Sequence, residues 1–193
     1  MKRVILFISL VLFIFSLNTF AIEFQLNGFY GIYTKDHACF KECYGKNKNI
    51  FGIGADISFL KFTGLYLDVG YMSASGESSY LKQPLSYNEI QLSAGLKLHL
   101  TVFRLSPMKE LNLYIKGGGL YIGYSETFEE KISGNVFGFS AGGGLTFWFK
   151  RIGIGLEVKK NIASKDLKIK GLDTTETVAY NGLRVVLKCI LRF

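Results

Sequence analysis

Between Glu89 and Leu100 the chain alternates without a break: Ile90, Leu92, Ala94, Leu96, Leu98 and Leu100 take one parity, and Glu89, Gln91, Ser93, Gly95, Lys97 and His99 the other. A period of two puts successive side chains on opposite faces, so this stretch predicts a strand that is apolar on one side and polar on the other. The pattern recurs. Phe24, Leu26, Gly28, Tyr30 and Ile32 stand against Glu23, Gln25 and Asn27; Phe51, Ile53, Ala55, Ile57 and Phe59 against Gly52, Gly54, Asp56 and Ser58; Leu65, Leu67, Val69 and Tyr71 against Tyr66, Asp68 and Gly70. Later segments carry Phe137, Phe139, Ala141, Gly143, Leu145, Phe147 and Phe149, then Ile152, Ile154, Leu156 and Val158, and last Leu183, Val185, Leu187, Cys189, Leu191 and Phe193. Leu111 to Tyr124 is the weakest, because its alternation blurs after Gly119, where a bulge is expected. About eight segments of about 10 to 16 residues emerge in this way, each long enough to cross a bilayer at a tilt.

Composition turns this list of strands into a fold. Mean hydropathy is +0.24 and aromatics make up 15% of the chain, yet after Ala21 no apolar run is long enough for a transmembrane helix. A barrel reconciles these facts by hiding its hydrophobicity at every second residue. An even number of strands closed into a ring also leaves no backbone edge unpaired in lipid. The expectation is an all-β protein, an eight-stranded antiparallel up-and-down transmembrane β-barrel. A soluble lipocalin-like barrel would instead turn its apolar parity inward around a ligand; the polar parity here is too charged for the reverse assignment. Short links at Lys61 to Gly64, Phe103 to Glu110 and Lys150-Arg151 read as periplasmic turns. Longer polar ones near residues 34 to 48, 74 to 86, 125 to 134 and 165 to 177 read as outer loops, which places both termini in the periplasm.

The first residues read differently. Met1-Lys2-Arg3, the apolar run Val4 to Leu17 and then Asn18-Thr19-Phe20-Ala21 have the basic, hydrophobic and small-residue parts of a secretory signal. Residues 1–21 are therefore expected to be a cleaved signal peptide and 22–193 the barrel domain, against the alternative of an uncleaved anchor. Removing Lys2 and Arg3 leaves 21 basic against 15 acidic residues, or +6. The basic residues scatter through turns, loops and alternate strand positions instead of clustering on one face between stacking aromatics, which argues against nucleic acid as a partner.

The polar parity gives the lumen. It supplies Asp56, Asp68, Glu89 and Glu157 against Lys97, Lys116, Lys159, Arg184 and Lys188. Eight strands make an interior just wide enough for side chains to fill, so an interior ion-pair network is expected, with a gated proton or ion path as the alternative. Hairpin arithmetic sets Lys97 beside Lys116, Asp56 beside Asp68, and Glu157 beside Arg184. The same arithmetic sets Gly117, Gly118 and Gly119 against Gly143, Gly142 and Ala141. That nearly bare patch reads as room for a bulky lumen neighbour such as Tyr114 or Trp148, or as a lateral weak point for a lipid-like molecule.

Three segments carry a resemblance. Leu113-Tyr114-Ile115-Lys116-Gly117-Gly118-Gly119-Leu120-Tyr121, then Phe137-Gly138-Phe139-Ser140-Ala141-Gly142-Gly143-Gly144-Leu145, and the terminal Leu191-Arg192-Phe193 resemble the OmpA/OmpX-type family of small outer-membrane barrels. The resemblance implies a cell outer-membrane location and a terminal Phe193 read by the barrel-assembly machinery. It also implies a non-enzymatic structural or surface-interaction role, with no cofactor. With Phe193 last, wall anchoring by a further domain is not implied. A narrow OmpW-like conduit for small hydrophobic molecules, or a small gated channel, is the alternative. Lipid-A deacylases of similar shape use a His-x-Ser motif on the lipid-facing side. His99-Leu100-Thr101 matches it poorly, being on the lumen parity with Thr in place of Ser, and His37 has no visible nucleophile.

Cys39 and Cys43 share the first outer loop and are expected to form a disulfide. With His37 they could supply three metal ligands, one short of a structural zinc site. Cys189, on the apolar parity, reads as a small hydrophobe. Lys41, Lys46, Lys48, Lys82, Lys165, Lys168 and Lys170 make anionic lipopolysaccharide an expected neighbour of the loops, beside outer-membrane lipid, around a monomer.

Overall fold

The computed structural model describes residues 22–60, 62–78, 82–106, 109–127, 131–168 and 175–193; the expected signal peptide over 1–21 lies outside them. The elements are β1 (Glu23–Lys35), α1 (Ala38–Tyr44), β2 (Asn47–Leu60), β3 (Thr63–Glu77), β4 (Pro84–Ser106), β5 (Lys109–Thr127), β6 (Lys131–Phe149), β7 (Ile152–Lys168), β8 (Thr175–Ala179) and β9 (Gly182–Arg192). From β1 to β8 each strand pairs antiparallel with the next strand of the sequence. The ring closes where β9 pairs with both β7 and β1. β8 continues the stave of β9 beyond a break at Tyr180-Asn181 and pairs with the far end of β7, so the cylinder has eight staves.

The period-two reading holds on the outside. Leu67, Leu92, Leu96, Ile115, Leu145, Leu156 and Leu187 all point away from the lumen and are exposed. At the end that carries both termini, Phe24, Phe62, Phe103, Phe147, Phe149 and Phe193 stand outward. Toward the opposite, loop-bearing end, the pairs Phe51–Tyr71 and Tyr121–Phe137 pack with ring centroids 5.3 and 5.2 Å apart. An apolar wall between two aromatic belts is stable against hydrocarbon and costly in water.

Several strands run longer than the alternation predicts. β4 spans 23 residues and β5 and β6 span 19 each, so much of what composition reads as loop is strand that continues past the apolar band. The first outer connection contains the helix α1, which the sequence reading does not include. No bulge occurs at Gly119, since β4 and β5 pair in unbroken register from Ser86 to Thr101. The irregularities lie instead at Thr101/Phe103 and Arg104/Ser106, and between β2 and β3 at Ser58/Leu60. The blurred alternation in β5 has another cause: Leu120 and Ile122 are apolar residues that face inward, buried against Val136, Ala163 and Tyr180.

Candidate functional site: the barrel lumen

The interior is built in tiers along the axis. Nearest the termini, Arg192 lies over the Trp148 ring at 3.9 Å and pairs with Glu110 at 2.8 Å and Glu23 at 3.2 Å. His99 is half-buried in this vestibule and Thr101 is exposed at its edge. Next, Lys97 reaches Asp56 at 2.8 Å. The register does set Lys97 opposite Lys116, but their ammonium groups part: Lys97 turns to Asp56, and Lys116 to Asp68 and Glu157.

The central tier has two carboxylates and four cations. Asp68 accepts from Lys116 at 2.5 Å, Lys159 at 3.0 Å and Arg184 at 3.2 Å. Glu157 pairs with Lys116, Arg184 and Lys188, each at 2.7 Å, and accepts from the Tyr114 hydroxyl at 2.9 Å. Rings complete the shell, with the Arg184 guanidinium 4.5 Å from the Phe29 centroid and the Lys116 ammonium 4.7 Å from that of Tyr66. Every one of these six charged side chains is buried. Four basic side chains thus share two carboxylates in this tier.

The neighbours that create this meeting differ from the hairpin arithmetic. Asp56 stands opposite Tyr66, not Asp68, a displacement of two residues, one of which comes from the irregularity at Ser58/Leu60. Asp68 faces Gly54 instead, where a Cβ would lie 2.5 Å from its Oδ1. Arg184 stands opposite Lys159, and Glu157 opposite Val186, so the Glu157–Arg184 pair is made along the diagonal. The glycine triplets are also staggered: Gly117, Gly118 and Gly119 face Ala141, Ser140 and Phe139, while Gly142, Gly143 and Gly144 face Lys116, Ile115 and Tyr114. The two triplets therefore do not face each other across β5 and β6; Gly118 and Gly119 instead face Gly95 and Ala94 of β4. Gly144 has a separate use, since a Cβ on it would come within 2.7 Å of the Tyr114 hydroxyl that serves Glu157.

Toward the loops the lining becomes aromatic. Glu89 pairs with Lys35 at 2.6 Å and accepts from the Tyr87 hydroxyl at 2.6 Å and from Gln91 at 2.7 Å, which in turn accepts from Asn161 at 2.9 Å. The Lys35 ammonium also donates to the Tyr87 hydroxyl. Lys35 is the partner of Glu89 that sequence reasoning missed, because it falls where polarity suggests the first loop. Its parity with Gln25 and Asn27 is the signal that could have found it. Around these groups Phe29, Tyr33, Ile50, Met72, Tyr87 and Val186 form an apolar cluster, with Phe40 and Tyr44 of α1 set into its mouth.

Cys39 and Cys43 lie one turn apart on α1, Cys43 as a free thiol. The expected bridge is thus absent at Cys43, while the side chain of Cys39 lies outside the described residues. Cys189 is also free and faces outward. Among the described residues no group of three His, Cys, Asp or Glu side chains is placed to hold a metal ion. Phe193 packs its ring 6.0 Å from that of Phe24, and its amide donates to the Phe24 carbonyl at 2.9 Å across the closing seam.

A closed eight-stave cylinder with an apolar wall and a charged, filled interior defines the fold class of the small outer-membrane β-barrels. Solved structures of that class overlay on this chain at low sequence identity. The outer membrane protein OprG from Pseudomonas aeruginosa matches with a TM-score of 0.65 at 11% identity, over 90% of this chain and 97% of that one. Neisserial surface protein A matches at 0.57 and 11%, over 89% and 97%. The N-terminal β-barrel domain of Pseudomonas aeruginosa OprF matches at 0.53 and 13%, over 89% and 97%. No family model matches the chain, and no curated protein matches it. The likeness is one of fold.

Proposed function

We propose that this chain is a non-enzymatic integral protein of an outer membrane, with both termini in the periplasm, the α1-bearing end at the cell surface, and a lumen closed to diffusion. The observation that supports this reading is the central tier. Its six buried charges are paired from wall to wall, which stiffens the cylinder and leaves contact with partners to the loops. Lys41, Lys46, Lys48, Lys82 and Lys165 lie at the loop-bearing end, where lipopolysaccharide phosphates are their natural counter-ions. The exposure of Phe193 beside the seam, 65%, supports a reading in which the barrel-assembly machinery recognises it. The protein acts as a monomer and needs no cofactor.

Planar-bilayer recording of the purified barrel tests the closed lumen. The wild-type record is expected to stay silent, and a steady single-channel current that rises in Arg184→Ala would overturn it in favour of a narrow conduit. Orientation is tested on intact cells, where protease added outside should cut within residues 36–46 and leave the turns at residues 61–62 and 150–151 intact.

A further inference from the structure

Where the lumen opens among the loops, a chamber of about 160 Å³ lies between α1 and the ends of β4, β5 and β8. Five rings line it. Phe40 and Tyr44 pack at 4.9 Å, Phe40 and Tyr87 at 5.1 Å edge to face, Tyr44 and Tyr87 at 5.7 Å, and Tyr124 stacks on Tyr180 at 5.0 Å. The faces of such rings carry negative electrostatic potential and attract cations. One cation already exploits it: the Lys35 ammonium on the chamber floor sits 4.1 Å from the Tyr87 centroid, 4.6 Å from Phe40 and 5.3 Å from Tyr180.

That charge is cancelled by Glu89 at 2.6 Å. Glu126 is a second carboxylate on the wall, accepting from the Tyr44 hydroxyl at 2.5 Å. Among the described residues no basic group comes within ion-pair distance of it. With Lys35 against Glu89 and Glu126, and histidine counted neutral, the chamber carries one net negative charge. Of the acceptors on the wall, the Tyr44 hydroxyl is already engaged with Glu126 and the Tyr87 hydroxyl with Glu89 and Lys35, which leaves an incoming cation mainly ring faces. Such a wall suits a cation that needs no acceptor. The volume corresponds to about five waters at about 30 Å³ each, the size of an ammonium nitrogen with its methyl groups.

We infer that this chamber binds a small organic cation of the quaternary-ammonium class, held by the faces of Tyr44, Tyr87, Tyr124 and Tyr180 with Glu126 as counter-ion. The inference does not depend on the proposed orientation of the barrel or on its closed lumen.

The test is binding of choline to the refolded barrel by titration calorimetry in octyl glucoside, since phosphocholine or amine-oxide detergents would present the same head group. Choline should bind saturably and about tenfold tighter than its neutral carbon isostere, 3,3-dimethyl-1-butanol. Tyr124→Ala and Glu126→Gln should each weaken it about tenfold, while Tyr124→Phe, which keeps the ring, should stay within about threefold of wild type. Equal binding of choline and the isostere would overturn the proposal, as would no saturable binding. So would unchanged affinity in Tyr124→Ala that keeps the heat-dependent gel mobility of a folded barrel. The isostere comparison uses wild-type protein alone, so a variant that fails to fold leaves the proposal open to refutation.

Discussion

The central and loop-end tiers fill the same cylinder by opposite means. At the centre, Asp68 and Glu157 each serve several cations, and Lys116 and Arg184 each serve both carboxylates. Removing either carboxylate strands several cations at once. At the loop end, Tyr33, Ile50, Met72 and Ile122 are buried by contact and dispersion, and cutting one of them back leaves a cavity but strands no charge. A buried ion-pair tier adds little net stability over an apolar one, because desolvation offsets the attraction, but losing one partner strands the rest. The two tiers therefore differ in coupling more than in strength.

The largest effect expected follows from stranding charges. Glu157→Gln leaves Lys116, Arg184 and Lys188 short of a counter-charge and should cost about 3 to 5 kcal/mol. Urea unfolding of the barrel in lipid vesicles reads it out through fluorescence of Trp148, the chain's one tryptophan, which is buried beside Arg192. A loss below about 1 kcal/mol would show that the tier is not coupled.

Ile122→Ala, at the loop end, should cost about 2 to 4 kcal/mol by leaving a cavity. The two losses should add within about 0.5 kcal/mol in the double variant, and a large interaction energy would erase the distinction between the tiers. A smaller effect belongs to Tyr44, whose hydroxyl is pushed well above its ordinary range by burial and then by the Glu126 carboxylate. The unfolded value is about 10, so the stability this shift represents is complete below about pH 10 and declines as pH rises toward the folded value. Wild type should lose stability between about pH 10 and 11 more steeply than Tyr44→Phe in the same assay, and parallel slopes would remove the link. Smallest of all, Arg104→Ala at the terminal end breaks a 3.2 Å pair with Glu110 whose arginine is 64% exposed, and should cost no more than about 1 kcal/mol.

The outer surface was legible because lipid imposes one rule on every strand, and Ile90 to Leu100 obey it. The lumen imposes no such rule. Charged residues there advertise their parity, which is how Asp68, Lys116, Glu157 and Arg184 could be placed on the inner face. Leu120, Ile122 and Val136 are inward and apolar, and resemble wall residues in a one-dimensional pattern. Register was harder still. A change of one residue in where a hairpin centres moves every cross-strand partner by two and leaves parity intact. Glu157 was therefore on the right face and beside the wrong neighbour, while Lys97 and Lys116, across the β4–β5 hairpin, were paired as observed. Lys35 was lost for a different reason: β1 runs further than its apolar positions do.

The seam between β1 and β9 has a kinetic meaning. The other barrel pairings join staves that follow one another in the chain, so each can form as a hairpin. Joining Leu26 to Leu191 spans nearly the whole chain. Entropy makes that step the slow one, and until it occurs two strand edges stand open. The last act of folding is thus ring closure, and the Phe24–Phe193 contact marks where the cylinder is zipped.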